Sequence, residues 1–331
     1  QSLLEVGRYV IAGDLFLTTF FLLIYGVISV ENTYTILSLA PLPSALGSIF
    51  AFFFSILGIQ IPLLDVFLFS RGISIRASAF IFDPNYYANL LLIPLTITGY
   101  RIFVQGYNKR SNGVLFSVYS LAIFCTVSRS GLGAMTFVLV ALIILYLLQK
   151  EIIKKNHLMI GLSGSLFALL LIGPQLIRIV GSPLRSGGSI YRSLLLRATL
   201  WRQGIEVWSH RPLFGVGLGN YLEYLNTLPA HEVIKLQNTH NTILTPLASV
   251  GLLGMIPIVI LILSHFRSSL SISKENKHAA NIASITVIAI LLQGMFIEVL
   301  PARWLWLFLA IPIGLAVRER MLERGQLKVK L

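Results

Sequence analysis

A chain of 331 residues that is 56% hydrophobic and only 12% charged, with mean hydropathy +0.81, has more apolar surface than a water-soluble domain needs. It reads as an all-α, polytopic membrane protein. A net charge of +13 does not point to nucleic acid here, because the basic residues are scattered in short segments between apolar runs, with no aromatic-basic platform among them.

Runs long enough to cross a hydrocarbon core fall near residues 9–30, 44–64, 86–104, 113–128, 131–148, 157–179, 243–265, 279–299 and 302–317, which makes about nine spans. Their Leu, Ile, Val and Phe lie on all sides, so they are helices rather than tilted barrel strands. The chain opens on Gln1 with neither a basic n-region nor a small-residue cleavage site, so no signal peptide is read. Further amino-terminal spans are expected before it. The single cysteine, Cys125, lies in an apolar run, so no intrachain disulfide is available.

Lysine placement orients the bundle. Lys109, Lys150, Lys154, Lys155, Lys274, Lys277, Lys328 and Lys330 fall in alternate loops or the carboxy-terminal tail, which marks those sides as cytoplasmic. The opposite side carries Arg71, Arg76, Arg129, Arg178, Arg185, Arg192, Arg197, Arg202, Arg211 and Arg303, with Lys235 the one lysine. Charge balance would be indifferent to lysine or arginine, whereas bidentate binding of phosphate oxygens favours the guanidinium fork. The split therefore implies an anionic ligand on the outer face, with membrane lipid as the other partner. Arg71, Arg178 and Arg303 are read as interfacial residues reaching to headgroups.

The long polar interruption at residues 181–242 forms an extracytoplasmic loop. Within it Ser189 to Ser209 reads as an amphipathic helix, with Ile190, Leu194, Trp201, Ile205 and Trp208 on one arc and Arg192, Thr199, Arg202, Gln203 and Glu206 on the other. Arg197 falls on the apolar arc, where a ligand or a buried carboxylate must answer its charge; Arg202 and Glu206 are spaced for a surface pair. His240 stands where the loop enters the span that begins near Ile243. A helix amino terminus disfavours imidazolium, which suits a general base, although capping or packing would place a histidine there equally well.

Ser128-Arg129-Ser130-Gly131 makes a tight outer turn whose small residues let an anion approach, or simply pack two helices around an arginine at the interface. Asp83-Pro84-Asn85 starts the third span as cap and first-turn proline, with Arg76 just before it. Gly215-Val216-Gly217-Leu218-Gly219 lacks a preceding strand and a βαβ context, which excludes dinucleotide binding. The outer carboxylates show no paired spacing and the histidines no ligand spacing, so neither a metal nor another cofactor is expected.

In order along the chain, Arg76 with Phe82-Asp83-Pro84-Asn85, Ser128-Arg129-Ser130-Gly131, Arg197 with Trp201, Pro212 to Tyr221, and His240-Asn241 resemble the O-antigen ligase and polymerase superfamily of Wzy_C type. The resemblance covers roughly Arg76 to Gly254 and divides the chain into amino-terminal helices at 1–75, a catalytic core at 76–264 and carboxy-terminal helices with a basic tail at 265–331. It implies an inverting, metal-independent GT-C-type glycosyltransferase of the bacterial inner membrane, with its active site on the periplasmic face. The donor would be an undecaprenyl-diphosphate-linked glycan and the acceptor a lipid- or glycan-linked hydroxyl. His240 would be the base and Arg129 and Arg197 the pyrophosphate ligands, with Arg76, Arg211 and Asn241 as further candidates. A transporter or flippase of lipid-linked oligosaccharide would want the same outer arginines, but it would need no proton acceptor at the loop-helix junction.

Overall fold

The computed structural model describes residues 2–71, 74–81, 83–152, 189–228 and 238–327. Helices α1 (Ser2–Ile24), α2 (Val30–Leu39) and α3 (Leu42–Ile56) lead to a short hairpin of β1 (Leu68–Arg71) and β2 (Ser74–Ala77). There follow α4 (Pro84–Tyr100), which runs on as a π turn through Gln105, then α5 (Lys109–Cys125), α6 (Arg129–Gln149), α7 (Ser189–His210), α8 (Tyr221–Thr227), α9 (Leu244–Ser271), α10 (Lys277–Gly294) and α11 (Arg303–Glu323). The chain is thus an all-α, multi-pass membrane protein, and the hairpin, in which Phe69 pairs with Arg76, is the departure from helix that the apolar pattern does not announce.

Among the described residues, five segments are long and apolar enough to cross a membrane: Val6–Ile24, Val30–Ile56, Pro84–Gln105, Arg129–Gln149 and Leu244–Ser271. Helices α5, α10 and α11 occupy the expected runs near 113, 279 and 302 without reaching that level. The expected span at 157–179 lies outside the described residues. The second span differs from expectation: helix begins at Val30, with Ser29 as cap accepting from the Asn32 N–H, and has ended by Leu57. Glu31, Asn32 and Thr33 dilute that first turn to a polar signal, so the apolar pattern does not mark its start.

Helix α4 is the centre of the molecule. Tyr87 through Tyr100 are almost entirely buried, with 78% of its spanning window covered, against 17% for α9. Asp83 starts it, its carboxylate accepting from the N–H groups of Asn85 (2.7 Å) and Tyr86 (3.3 Å), with Pro84 in the first turn. Such a cap is worth about 1 kcal/mol. Gly131 lets α6 close onto α4: a Cβ there would stand 2.6 Å from that of Ala88. Two buried amides tie α4 to its neighbours, since Asn89 donates to Gln293 (3.1 Å) and accepts from the Trp304 indole N–H (2.8 Å).

The two ends of the bundle are chemically different. At one end Glu31, Gln105, Tyr107, Gln149 and His278 line a cavity of about 430 Å³, close in sequence to Lys109, Lys150 and Lys277. Arg101 is buried there but answered, with Glu31 and Thr35 as acceptors and the Tyr107 ring beneath it. At the other end lie the turns that carry Arg129 and His240.

Candidate active site

Helix α9 does not run straight. In an unbroken helix the N–H of Leu252 would donate to Ala248 and that of Leu253 to Ser249. Instead Leu252 donates to the Pro212 carbonyl (2.9 Å) and Leu253 to Leu213 (3.0 Å), while the freed carbonyls of Ala248 and Ser249 accept from Val216 (2.9 Å) and Gly217 (2.8 Å). The break is at Gly251, whose φ of 66° and ψ of −170° lie outside any helix. The run Pro212–Gly217 is thus a splint that satisfies four backbone groups the break would orphan. Two glycines make it fit: a Cβ at Gly215 would stand 2.4 Å from the Ser249 carbonyl carbon, and one at Gly251 the same distance from that of Leu213. Nothing in the glycine pattern itself announces the broken helix.

Four residues before α9, His240 adopts a φ of +50°, a left-handed value that is uncommon outside glycine. The surrounding turn over-determines it. Asn238 Oδ1 accepts from the His240 N–H (3.0 Å), and Asn241 Oδ1 accepts from Ile243 (2.9 Å) and Leu244 (3.0 Å) to cap α9. On the far side Asn241 donates to Met295 (3.1 Å), and the Thr242 hydroxyl donates to Ile297 (2.9 Å) and accepts from the Val299 N–H (2.8 Å). These contacts also end α10 at Gly294, so the apolar run expected to span 279–299 closes early and Phe296 to Ala302 form a connection beneath the histidine turn.

Helix α7 lies against this turn as expected from Ser189 onward, but with a different buried face. Leu200, Gln203, Gly204 and Val207 are buried and Ile205 is half exposed, whereas the pattern assigned Gln203 to the polar arc and Ile205 to the apolar one. The reason is Gly204: Thr239 approaches so closely that a Cβ there would meet its methyl at 2.5 Å, and this contact sets the rotation of the helix. Arg202 and Glu206 do not come within 4.0 Å, so the expected surface pair is not made. The side chain of Arg192 and all of Arg178 and Arg185 lie outside what is described.

The arginines on this side converge. Arg76 donates from Nε to the Thr126 carbonyl (2.8 Å) and from Nη2 to Asn85 Oδ1 (3.1 Å), which locks the hairpin to the ends of α4 and α5. Asn85 Oδ1 also accepts from Ser128 (2.8 Å), whose oxygen caps α6 at Gly131 (3.2 Å) and so aims the first residue of that helix, Arg129. Val127, at φ +50°, turns the chain into this cap. Arg197 stacks over the Phe296 ring at 5.2 Å, and Trp201 lies against the same ring at 6.2 Å. Burial lowers the Arg197 pKa from its usual value and Arg129 lowers it further; Arg76 is lowered by burial, opposed by Asp83, and lowered again by Arg129 and Arg197. Among the described residues the one ion pair is Arg101 with Glu31, at the other end of the bundle, so no carboxylate is paired with these three.

His240 belongs to the same group. Burial pushes its imidazole pKa below the usual histidine value, Asp83 opposes the shift, and Arg197 adds to it. The ring is therefore neutral near pH 7 and can accept a proton. Arg211 does not join the cluster: it is exposed, over the Tyr224 ring at 5.9 Å, and lies past the far end of α7, roughly 20 Å from Arg197 at the helical rise of 1.5 Å per residue. Asn241 spends its side chain on the cap and on Met295. Phe296 and Thr126, which hold Arg197 and Arg76 in place, went unnoticed in the sequence because Phe296 works through a contact far along the chain and Thr126 through its main chain. Among the described residues no group of three or more His, Cys, Asp or Glu side chains could hold a metal ion.

No curated protein matches the chain. Residues 114–259 match the family model Wzy_C, described as O-antigen ligase; the matched segment holds Arg129, Arg197, the glycine splint and His240, and over that stretch the chain is similar to the O-antigen ligase family.

Proposed function

We propose that the chain is a membrane glycosyltransferase of the O-antigen ligase or polysaccharide polymerase kind, transferring glycan from an undecaprenyl-diphosphate carrier to an acceptor hydroxyl on the extracytoplasmic face of the bacterial inner membrane. The observation that carries it is the company His240 keeps: a neutral, half-buried imidazole held in a left-handed turn beside Arg197, which is grouped in turn with Arg129 and Arg76, three arginines that no carboxylate among the described residues pairs with. A structural arginine cluster would bring its own counter-charges, as Arg101 does. This cluster suits an anion that arrives with the substrate, and the guanidinium fork suits pyrophosphate.

In the reaction His240 takes the proton of the acceptor hydroxyl as its oxygen attacks the anomeric carbon. The bond from that carbon to the pyrophosphate oxygen breaks on the opposite face, so configuration inverts. The leaving oxygen keeps the electron pair. Arg129 and Arg197, with Arg76 behind them, stabilise the charge that grows on it, the part a metal ion plays in other transferases. The good leaving group needs no protonation.

Proteoliposomes given the lipid-linked donor and a lipid-anchored acceptor on the same face test the reading. The wild type should form the glycan-acceptor product, and a His240→Ala protein should bind donor without forming it. Movement of donor across the bilayer without any new glycosidic bond would make the chain a flippase instead.

A further inference from the structure

Next to the histidine turn, but lined by none of Arg76, Arg129 or Arg197, there is a cavity of about 450 Å³. Tyr9 of α1, Asp83, Asn238, and Glu298, Arg303 and Trp304 from the α10–α11 connection and the start of α11 form its walls. The volume is in the range of a small-ligand site. Its chemistry differs from that of the arginine cluster. The carboxylates of Asp83 and Glu298 offset the guanidiniums of Arg303 and Arg8, so the cavity is polar without a net demand for an anion. Carboxylate, amide and guanidinium groups set around aromatic rings are what a sugar requires, because adjacent hydroxyls take paired hydrogen bonds while the C–H face of the ring lies on an aromatic surface.

The walls are pre-arranged. The Trp304 indole donates to Asn89 at 2.8 Å, Tyr9 donates to the Glu298 carboxylate, and Tyr86 donates to the Glu298 carbonyl, so rings and carboxylate hold their places without a ligand. Glu298 is only 5% exposed. The cavity also adjoins the histidine turn through Asn238. Asn238, in its wall, accepts the His240 N–H at 3.0 Å, and Asp83, in its wall, acts directly on the charge of the His240 ring.

We propose that this cavity is the acceptor subsite, binding the terminal sugar ring of the acceptor and presenting one of its hydroxyls to His240. The proposal rests on the transferase reading above. Acceptor rather than donor follows from the layout: the donor is anchored by its pyrophosphate at the arginines, which do not reach the cavity, whereas Asn238 of the cavity wall holds the main chain of His240, the group that removes the acceptor proton.

Two measurements test it. Saturation-transfer NMR on detergent-solubilised His240→Ala protein, with the methyl glycosides of glucose, galactose, mannose and N-acetylglucosamine as probes, should show binding of at least one. Arg303→Ala, a change at an exposed side chain, and Trp304→Ala should each abolish that signal. In the active protein Arg303→Ala should raise the acceptor KM on the order of tenfold and leave the donor KM unchanged. Absence of glycoside binding while the wild type transfers would overturn the subsite alone, as would a rise in donor KM instead of acceptor KM. Glycoside binding that both variants leave intact would place the sugar elsewhere and overturn it too. Glycoside binding by a wild type that transfers nothing would remove the transferase reading, and the acceptor assignment with it.

Discussion

The two most distinctive runs of this sequence meet the same helix and do different work. Pro212–Gly217 lies along the break in α9 and takes over four backbone hydrogen-bonding groups there, donating from Val216 and Gly217 and accepting from Leu252 and Leu253. Thr239–Thr242 lies at the start of α9 and holds one strained histidine against the arginines. The first run contributes main chain and needs its glycines for want of a Cβ; the second contributes a side chain and needs its neighbours to tolerate an unfavourable φ. A conspicuous motif is thus no guide to chemistry until its hydrogen bonds have been traced.

Substitution should separate the two runs, and the largest effect belongs to the splint. Gly251→Ala puts a Cβ into the Leu213 backbone at a φ of +66°, so strain and collision act together, at a cost of at least about 3 kcal/mol. The yield of monodisperse protein in detergent should collapse; normal yield and melting would mean that α9 is not broken there. His240→Ala should leave yield untouched while transfer falls by roughly 10²–10⁴-fold. His240→Gly sharpens the contrast further. Relief of the left-handed φ should make it as stable as the wild type or up to about 1 kcal/mol more so, yet equally inactive, and a melting curve beside a transfer assay decides between a chemical and a structural histidine.

Smaller effects come from the arginines. Arg197→Lys keeps the charge but loses the paired hydrogen bonds to phosphate, at about 1.5–3 kcal/mol of donor use, with expression unchanged. Arg202→Lys, at an exposed position on the same helix, should be nearly silent. Equal impairment of the two would show that the rotation of α7 set by Gly204 is wrong. The smallest effect is on pH. A general base works unprotonated, so transfer should fall as pH drops through a midpoint below the ordinary histidine value. Asp83→Asn preserves the cap but removes the charge that favours imidazolium, so the midpoint should move lower still; Arg197→Gln removes a charge that disfavours it, so the midpoint of the residual activity should move up. Midpoints that stay put in both variants would detach His240 from its electrostatic surroundings.

What the sequence determined by itself was what depends on composition, period and adjacent residues. Apolar excess made the chain a helical membrane protein, Asp83-Pro84 announced the start of α4, and Ser128-Arg129-Ser130-Gly131 marked the tight turn between α5 and α6. His240, Arg129 and Arg197 could be proposed as site residues because His240 precedes a span, Arg129 lies in that turn and Arg197 falls on a helical face whose period can be counted. What only the tertiary structure decided depends on contacts between distant segments. The i→i+4 bonds of α9 look available in any apolar run, and only the arrival of the glycine strand reveals that two are open. The rotation of α7 follows from one close approach at Gly204, which outweighs an amphipathic pattern that put Gln203 on the polar arc and Ile205 on the apolar one. Arg303, read as a residue reaching to headgroups, lines a cavity because α11 begins beside the histidine turn. A periodicity averages over a helix face, whereas a single backbone contact at van der Waals distance fixes a register, and the contact wins.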